Sequence, residues 1–348
     1  NLRYNIASNQ YTKFISTFGN INMYASYLSI SIPVLLAVFA FCKNWFSRIL
    51  SGILLIAAGC NILIANSDSV FLGIFAGVVV VTILAFMQGR LRYSSFAVFL
   101  LFVGNLVLGF INKYGHTRYD KKRGGLAIAL NRLDIAFVLC GAALLVFAVV
   151  CVCNWKLGTR VAAWNKKKIV LIVCGACVAL GVIGIIVLAV TGSSLLTFND
   201  KWGSYRGYIW RKIVEVYGDA PFVNKLFGYG NESVRVTLKA ACYNEMVQVT
   251  GKVYDNAHNE LLQYLFTTGI VGLLSYLALV GSSIVYMFKH AKEHAWISVC
   301  LAATVGYFAQ SILNLNQPIT TPLFFVFMAM GVGTVNYCRR VKELEKRA

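Results

Sequence analysis

The chain has 348 residues, 58% of them hydrophobic and 13% charged, and 32 Lys and Arg stand against 13 Asp and Glu, a formal net charge of +19. With a mean hydropathy of +0.69, these proportions exclude an ordinary soluble domain and place the chain among multi-span membrane proteins. Its apolar residues come in continuous runs rather than in alternation, which excludes a β-barrel as well.

The chain opens at Asn1, without an initiator Met, in a polar stretch (1–22) that reads as neither a signal peptide nor a cleavage remnant, so further helices are expected upstream. Apolar runs of about 17–22 residues follow, each long enough to cross roughly 30 Å of hydrocarbon as a helix. They lie at 23–42, 49–65, 70–87, 94–111, 135–153 and 169–190, and again at 269–288, 295–313 and 319–337. Because lipid offers backbone N–H and C=O groups no partner, the expectation is an all-α polytopic protein with about nine transmembrane helices. The chain is accordingly divided into an outer segment (1–22), six spans (23–190), a long loop (191–268), three spans (269–338) and a cytoplasmic tail (339–348). The tail, "RRVKELEKRA", reads as a basic helix end near anionic lipid.

Most of the ten cysteines lie inside apolar runs, where a thiol acts as a small hydrophobe and not as part of a disulfide framework. Cys174 and Cys177 have C-x-x-C spacing but sit mid-run without a neighbouring His or carboxylate, which argues against a metal site. His290 and His294 are four apart and are read as surface residues of a helix on the basic cytoplasmic side.

Short connections carrying Lys or Arg face the cytoplasm. Lys43 with Arg48, Arg90 with Arg92, the stretch 156–168, Lys289 with Lys292, and the tail from Arg339 fall on alternate connections, whereas 66–69 and 314–318 contain no Lys or Arg. One outer connection breaks the pattern. Residues 112–132 carry Lys113, Arg118, Lys121, Lys122, Arg123 and Arg132 against the single acid Asp120. Such a cluster, held outside against the topological preference, binds either an anionic ligand or lipid headgroups.

The loop 191–268 is far too long for a simple connection, and long loops are commonly functional. Within it "SYRGYIWRKIVEVYG" places Tyr208, Ile209, Ile213 and Val216 at roughly helical spacing and ends at Gly218, with Pro221 beyond, predicting a helix near the membrane surface. "FGYGN" at 227–231 is a glycine-punctuated turn. The loop ends in "DNAHNELLQYLF", where Asp255 or Asn256 is the expected N-cap, with His258 and Asn259 in the first turn of the next helix. A helix start favours a bound anion and a neutral imidazole. His258 is therefore either a harmless boundary residue or a base that takes a proton from a hydroxyl while cations stabilise an anionic leaving group.

The blocks "FGNINMYASYLSISIPVLL" (18–36), "RGYIWRKIVEVYGDAP" (206–221) with "LFGYG" (226–230), and "HNELLQYLFTTGIVGLLSYL" (258–277) together resemble the O-antigen ligase and O-antigen polymerase superfamily. The Gly-Asn-x-Asn, Arg-x-x-x-Trp and His-Asn-x-x-Leu…Gly-x-x-Gly-Leu patterns carry the resemblance. It implies an all-helical glycosyltransferase of the bacterial plasma membrane, with no cofactor and no metal. Its partners would be an undecaprenyl-diphosphate-linked glycan donor, a glycan or lipid acceptor and membrane lipid, with no nucleic acid. The family's histidine maps onto His258 and its loop arginine onto Arg206, both with catalytic roles and an active site on the extracytoplasmic face. Where the family has Ser-Arg-Gly this chain has Ser67-Asp68-Ser69, so Arg118, Lys121, Lys122 and Arg123 are expected to supply charge to the donor instead. Arg211, Asn259, Trp210 and Tyr254 complete the expected binding set. Trp210 has two readings, interfacial anchor or sugar platform, and Tyr254 and Asn259 either orient His258 or are solvated. Gly269 and Gly272 are expected to permit close helix packing.

Two alternatives belong to other classes. A transporter or flippase predicts ionisable or helix-breaking residues mid-membrane; few occur, Pro33 among them. In a non-catalytic assembly scaffold, the pairing of His258 with Arg206 would be accidental.

Overall fold

The structure, a computed structural model, describes residues 18–65, 67–114, 132–163, 199–314 and 317–347. Among these it is helical throughout: α1 (Ile21–Phe41), α2 (Trp45–Ala65), α3 (Asp68–Met87), α4 (Leu91–Tyr114), α5 (Leu133–Ala163), α6 (Trp202–Gly218), α7 (Phe222–Phe227), α8 (Ser233–Thr250), α9 (Glu260–His290), α10 (Ala295–Ser311) and α11 (Thr321–Glu345). Seven of these, α1 to α5, α9 and α11, are long and apolar enough to cross a membrane, and the apolar α10 is shorter, at 17 residues. All eight coincide with expected runs. The expected helix at 169–190, Cys174 and Cys177, and the cations Arg118, Lys121, Lys122 and Arg123 lie outside the described residues.

The chain divides into two compact units. Unit one comprises Asn1–Trp164, Ser282–Ser311 and Asn316–Ala348. At its centre α1 packs on α2, α3 and α10, and these helices meet through small residues. A Cβ added at Gly73 would lie 2.6 Å from Ser29 Oγ and 2.7 Å from the Gly306 carbonyl, and one at Gly77 would lie 2.3 Å from Pro33 Cγ. Gly73 and Gly77, four apart on α3, therefore let α1 and α10 approach to backbone distance, the membrane solution to packing without a hydrophobic driving force. The α2–α4 contact repeats it, since a Cβ at Gly104 would meet the Ile56 carbonyl at 1.9 Å and one at Gly59 the Leu101 carbonyl at 2.1 Å.

Several buried polar groups in unit one satisfy one another, as a membrane interior favours. Ser26 Oγ donates to Gln310 Oε1 (3.1 Å), whose amide donates to Ser69 Oγ (3.3 Å). At the opposite end of α1, Arg48 donates to the carbonyls of Phe39 (3.2 Å) and Cys42 (2.8 Å), and Arg90 to that of Ala40 (3.3 Å). Cations thus occupy carbonyls that a helix C-terminus leaves without partners. His290 and His294 do not share a helix, because α9 ends at His290. His290 pairs with Glu293 (2.7 Å), and His294 Nδ1 accepts from the Trp296 N–H at the start of α10.

Unit two comprises Asn165–Gly281 and Ile312–Leu315. The stripe read on α6 is real, but it is spent on the unit's own core. Tyr208, Ile209 and Ile213 are buried with Val234, Leu238 and Met246 of α8, and with Tyr254, Ala257 and Phe266. Beside this core Arg211 and Lys212 of α6 are tied to Asp200, Glu215 and Glu245.

Gly269 meets its expectation and adds to it. A Cβ there would lie 2.2 Å from the Leu226 carbonyl, so the glycine admits the backbone of α7, and it also breaks α9, with φ 68 and ψ −173. Beside the break, the N–H groups of Tyr229 and Gly230 donate to the carbonyls of Phe266 and Thr267, both at 3.0 Å. The Gly-Tyr-Gly turn is therefore a backbone clamp on the kinked helix. Gly272 leaves room for the Thr268 hydroxyl of its own helix.

Candidate active site

Four non-glycine residues have positive φ among those described, Ser204, Tyr205, Glu232 and His258. All lie in unit two, and three of them adjoin or include the expected catalytic pair. Each such residue costs about 1–2 kcal/mol, and strain of this kind persists only where surrounding contacts over-determine the backbone.

The first strained stretch delivers Arg206. Gly203, Ser204 and Tyr205 form a left-handed turn at the head of α6, with φ of 58, 61 and 72, and regular helix starts only at Arg206. The turn is fastened from two sides. The Tyr254 hydroxyl donates to the Ser204 carbonyl (2.8 Å), and Gly207 sits where a Cβ would be 2.1 Å from the Asn199 carbonyl.

The second delivers His258. The N-cap of α9 is Asn259, not Asp255 or Asn256: its side chain accepts from the Leu262 N–H (3.0 Å) and its carbonyl from the Gln263 N–H (2.9 Å). His258 thus precedes the cap, with φ 49, instead of occupying the first turn. Asn256 instead makes a local turn, its side chain accepting from the His258 N–H (3.2 Å). Ala257 is gripped on both flanks, its carbonyl by Trp210 Nε1 (2.8 Å) and its N–H by Gln263 Oε1 (2.9 Å). The segment before His258 is pinned to α6 and α9 at once.

The ring of His258 stands edge-on to Tyr254, with centroids 5.9 Å apart and planes at 83°. Its Nδ1 is shut off from solvent and has no hydrogen-bond partner among the described residues. Burial, then the positive charges of Arg206 and Lys252, push its pKa down to about 4, and Asp255 pulls weakly the other way. Arg206 also acts on Tyr254, whose hydroxyl burial raises and Arg206 lowers. The imidazole is therefore neutral at physiological pH, and Arg206, Lys252, Tyr254 and His258 form one electrostatic neighbourhood.

The remaining expected residues divide. Tyr254, 4% exposed, and Asn259, 8% exposed, are buried, so neither is solvated; the first holds the Ser204 carbonyl and the second caps α9. Trp210 holds the His258 segment through Ala257 and packs against Trp202, with centroids 5.2 Å apart. Arg211 donates twice to Asp200 (3.0 and 2.8 Å) and once to Glu215 (2.7 Å), an arrangement that brackets α6 electrostatically. Sequence reasoning missed the strained Ser204–Tyr205 turn and Gln263. Glu260, expected to hold an arginine or nothing, is fully buried and accepts from the Tyr276 hydroxyl (3.1 Å). Among the described residues no three His, Cys, Asp or Glu gather as a metal site.

Residues 124–277 match the family model described as O-antigen ligase, a span that contains Arg206 and His258. No curated protein matches the chain.

Proposed function

We propose that the chain, whose residues 124–277 match the O-antigen ligase model, is a glycosyltransferase of the O-antigen ligase and polymerase family in which His258 is the general base and Arg206 the leaving-group cation. The donor is a glycan linked through diphosphate to a polyprenol such as undecaprenol, the acceptor a hydroxyl of a glycan or lipid, and the site faces the extracytoplasmic side of a bacterial plasma membrane. An acceptor hydroxyl attacks the anomeric carbon of the donor. Its proton passes to the imidazole as the new carbon–oxygen bond forms, the bond from the anomeric carbon to the phosphate oxygen breaks, and the electron pair leaves with the diphosphate. Guanidinium suits that charge, since it offers paired N–H donors and stays protonated.

The observation that carries this reading is the buried Nδ1 of His258, its ring held edge-on to Tyr254, with Arg206 and Lys252 near enough to act on it. An imidazole with pKa about 4 is by itself a weak base, because proton affinity falls with pKa. A diphosphate set against Arg206 and Lys252 would offset the charges that depress it and raise its proton affinity as the donor binds. The base would then be strengthened by the substrate it serves. The outer-face assignment is supported by the positive-inside preference: the connections carrying Arg48, Arg90, Lys289 with Lys292 and Arg339 alternate along the chain with the one that carries His258. Arg118, Lys121, Lys122 and Arg123 are proposed as additional donor contacts.

The test is transfer from a defined polyprenyl-diphosphate donor by purified protein carrying His258→Ala. A loss of about 10²–10⁴-fold with normal membrane insertion is expected for removal of a general base. Undiminished transfer would end the assignment.

A further inference from the structure

We propose that α7 is an interfacial wedge: its apolar face lies in the headgroup and acyl boundary of the bilayer and holds the His258 segment at that boundary. On this six-residue helix, Phe222, Val223 and Phe227 are 74%, 65% and 62% exposed. At about 100° per residue they fall within one arc, with Leu226 between them, and Asn224 and Lys225 occupy the remainder. An exposed apolar face of this kind on a helix bearing a basic residue is the pattern of segments that lie in a membrane interface.

The level at which α7 is attached selects lipid as the occupant. The Gly-Tyr-Gly turn that ends α7 is hydrogen-bonded to Phe266 and Thr267, and Leu226 is in backbone contact with Gly269. At this point α9 changes character. From Glu260 to Thr267 its residues are buried or half-buried, and beyond the break the large exposed side chains are apolar: Val271, Leu274 and Leu279. The part after Gly269 runs to His290, about 31 Å at 1.5 Å per residue, which matches the thickness of a hydrocarbon core. Gly269 therefore marks where α9 leaves the hydrocarbon, and α7 is fixed at that depth. The Tyr217 hydroxyl, donating to the Lys225 carbonyl (2.6 Å), ties α7 to the end of α6 as well, so the wedge is rigidly joined to the helix that carries Arg206. The Glu260 carboxylate accepts from the Tyr276 hydroxyl (3.1 Å) and Tyr264 stacks on Tyr276, so the part of α9 before Gly269 folds back beside the part after it and keeps His258 near the level of Gly269.

The placement of α7 stands apart from the proposed chemistry. Its test is photocrosslinking in vesicles of phosphatidylethanolamine and phosphatidylglycerol, with p-benzoylphenylalanine in place of Phe222 or Asp255. Phospholipid adducts from position 222, at least several-fold above those from 255, are expected. Equal or absent lipid adducts at 222 would overturn the proposal, whatever the activity of His258→Ala. A second arm follows transfer by the double variant Phe222→Ser, Val223→Ser. Loss with a membrane-embedded long-chain donor and retention with a water-soluble short-chain donor support depth-setting; equal loss with both would contradict it.

Discussion

The two units differ most in backbone strain. In unit one the described residues with positive φ are glycines, Gly19 and Gly89, and several buried hydroxyls and amides pair with each other or with helix carbonyls, the Thr320 hydroxyl excepted. Unit two concentrates non-glycine residues in left-handed backbone and holds a buried imidazole nitrogen without a partner. A scaffold that only has to span can relax into regular helices. The segments before Arg206 and His258 are over-determined by contacts and keep the strain, as the proposed roles of these residues would require.

The contrast can be broken most severely at the chemistry, where His258→Ala is expected to cost about 10²–10⁴-fold in transfer. Arg206→Gln follows, at about 10²–10³-fold, the range for loss of one donor to developing negative charge. It also has a pH signature. Because the folded pKa of His258 is depressed from 6.5 to about 4, the acid limb of kcat/KM for the free enzyme is expected near pH 4. Removing the Arg206 charge should move that limb upward. The linked stability has the same sign: it is complete above pH 6.5 and declines as pH falls toward 4, since the unfolded chain takes up the proton first.

Smaller effects sharpen the comparison. Gly269→Ala and Gly89→Ala start from nearly equal φ, 68 and 70, but the first added Cβ meets the Leu226 backbone and the second meets nothing within 4 Å. Thermal unfolding should show about 2–5 kcal/mol lost at Gly269, from backbone strain plus overpacking, and about 1–2 at Gly89, from strain alone. Equal losses would mean that the clamp between α7 and α9 contributes nothing. Tyr254→Phe removes the bond to the Ser204 carbonyl and is expected to cost about 1 kcal/mol; a fall in kcat greater than the change in KM would assign it to positioning, the reverse to binding donor.

Much of the scaffold was legible in the sequence because a span is written in length and composition, and those are local. The His258 region was legible in part. Three candidate caps lie within five residues, Asp255, Asn256 and Asn259, and any of them satisfies local cap chemistry. What selects Asn259 is tertiary: Trp210 and Gln263 fix Ala257 first. The left-handed turn before Arg206 left no trace for the same reason, since it depends on a hydroxyl 50 residues away. The helix α8 was hidden because its buried residues, Val234, Leu238 and Met246, are sparse among exposed polar positions. Gly269 was visible as a glycine, but a helix contact and a helix break require the same residue.

The most direct measurement is the titration of His258 by ¹⁵N-histidine NMR of the protein in nanodiscs. The chain has only 4 histidines, so comparison with His258→Ala identifies its signal. The ring should stay neutral down to about pH 4, and titrate at higher pH once a polyprenyl-diphosphate donor analogue is bound. A midpoint near 6.5 that the analogue leaves unmoved would contradict the claim that Arg206 and the diphosphate jointly set the strength of the base.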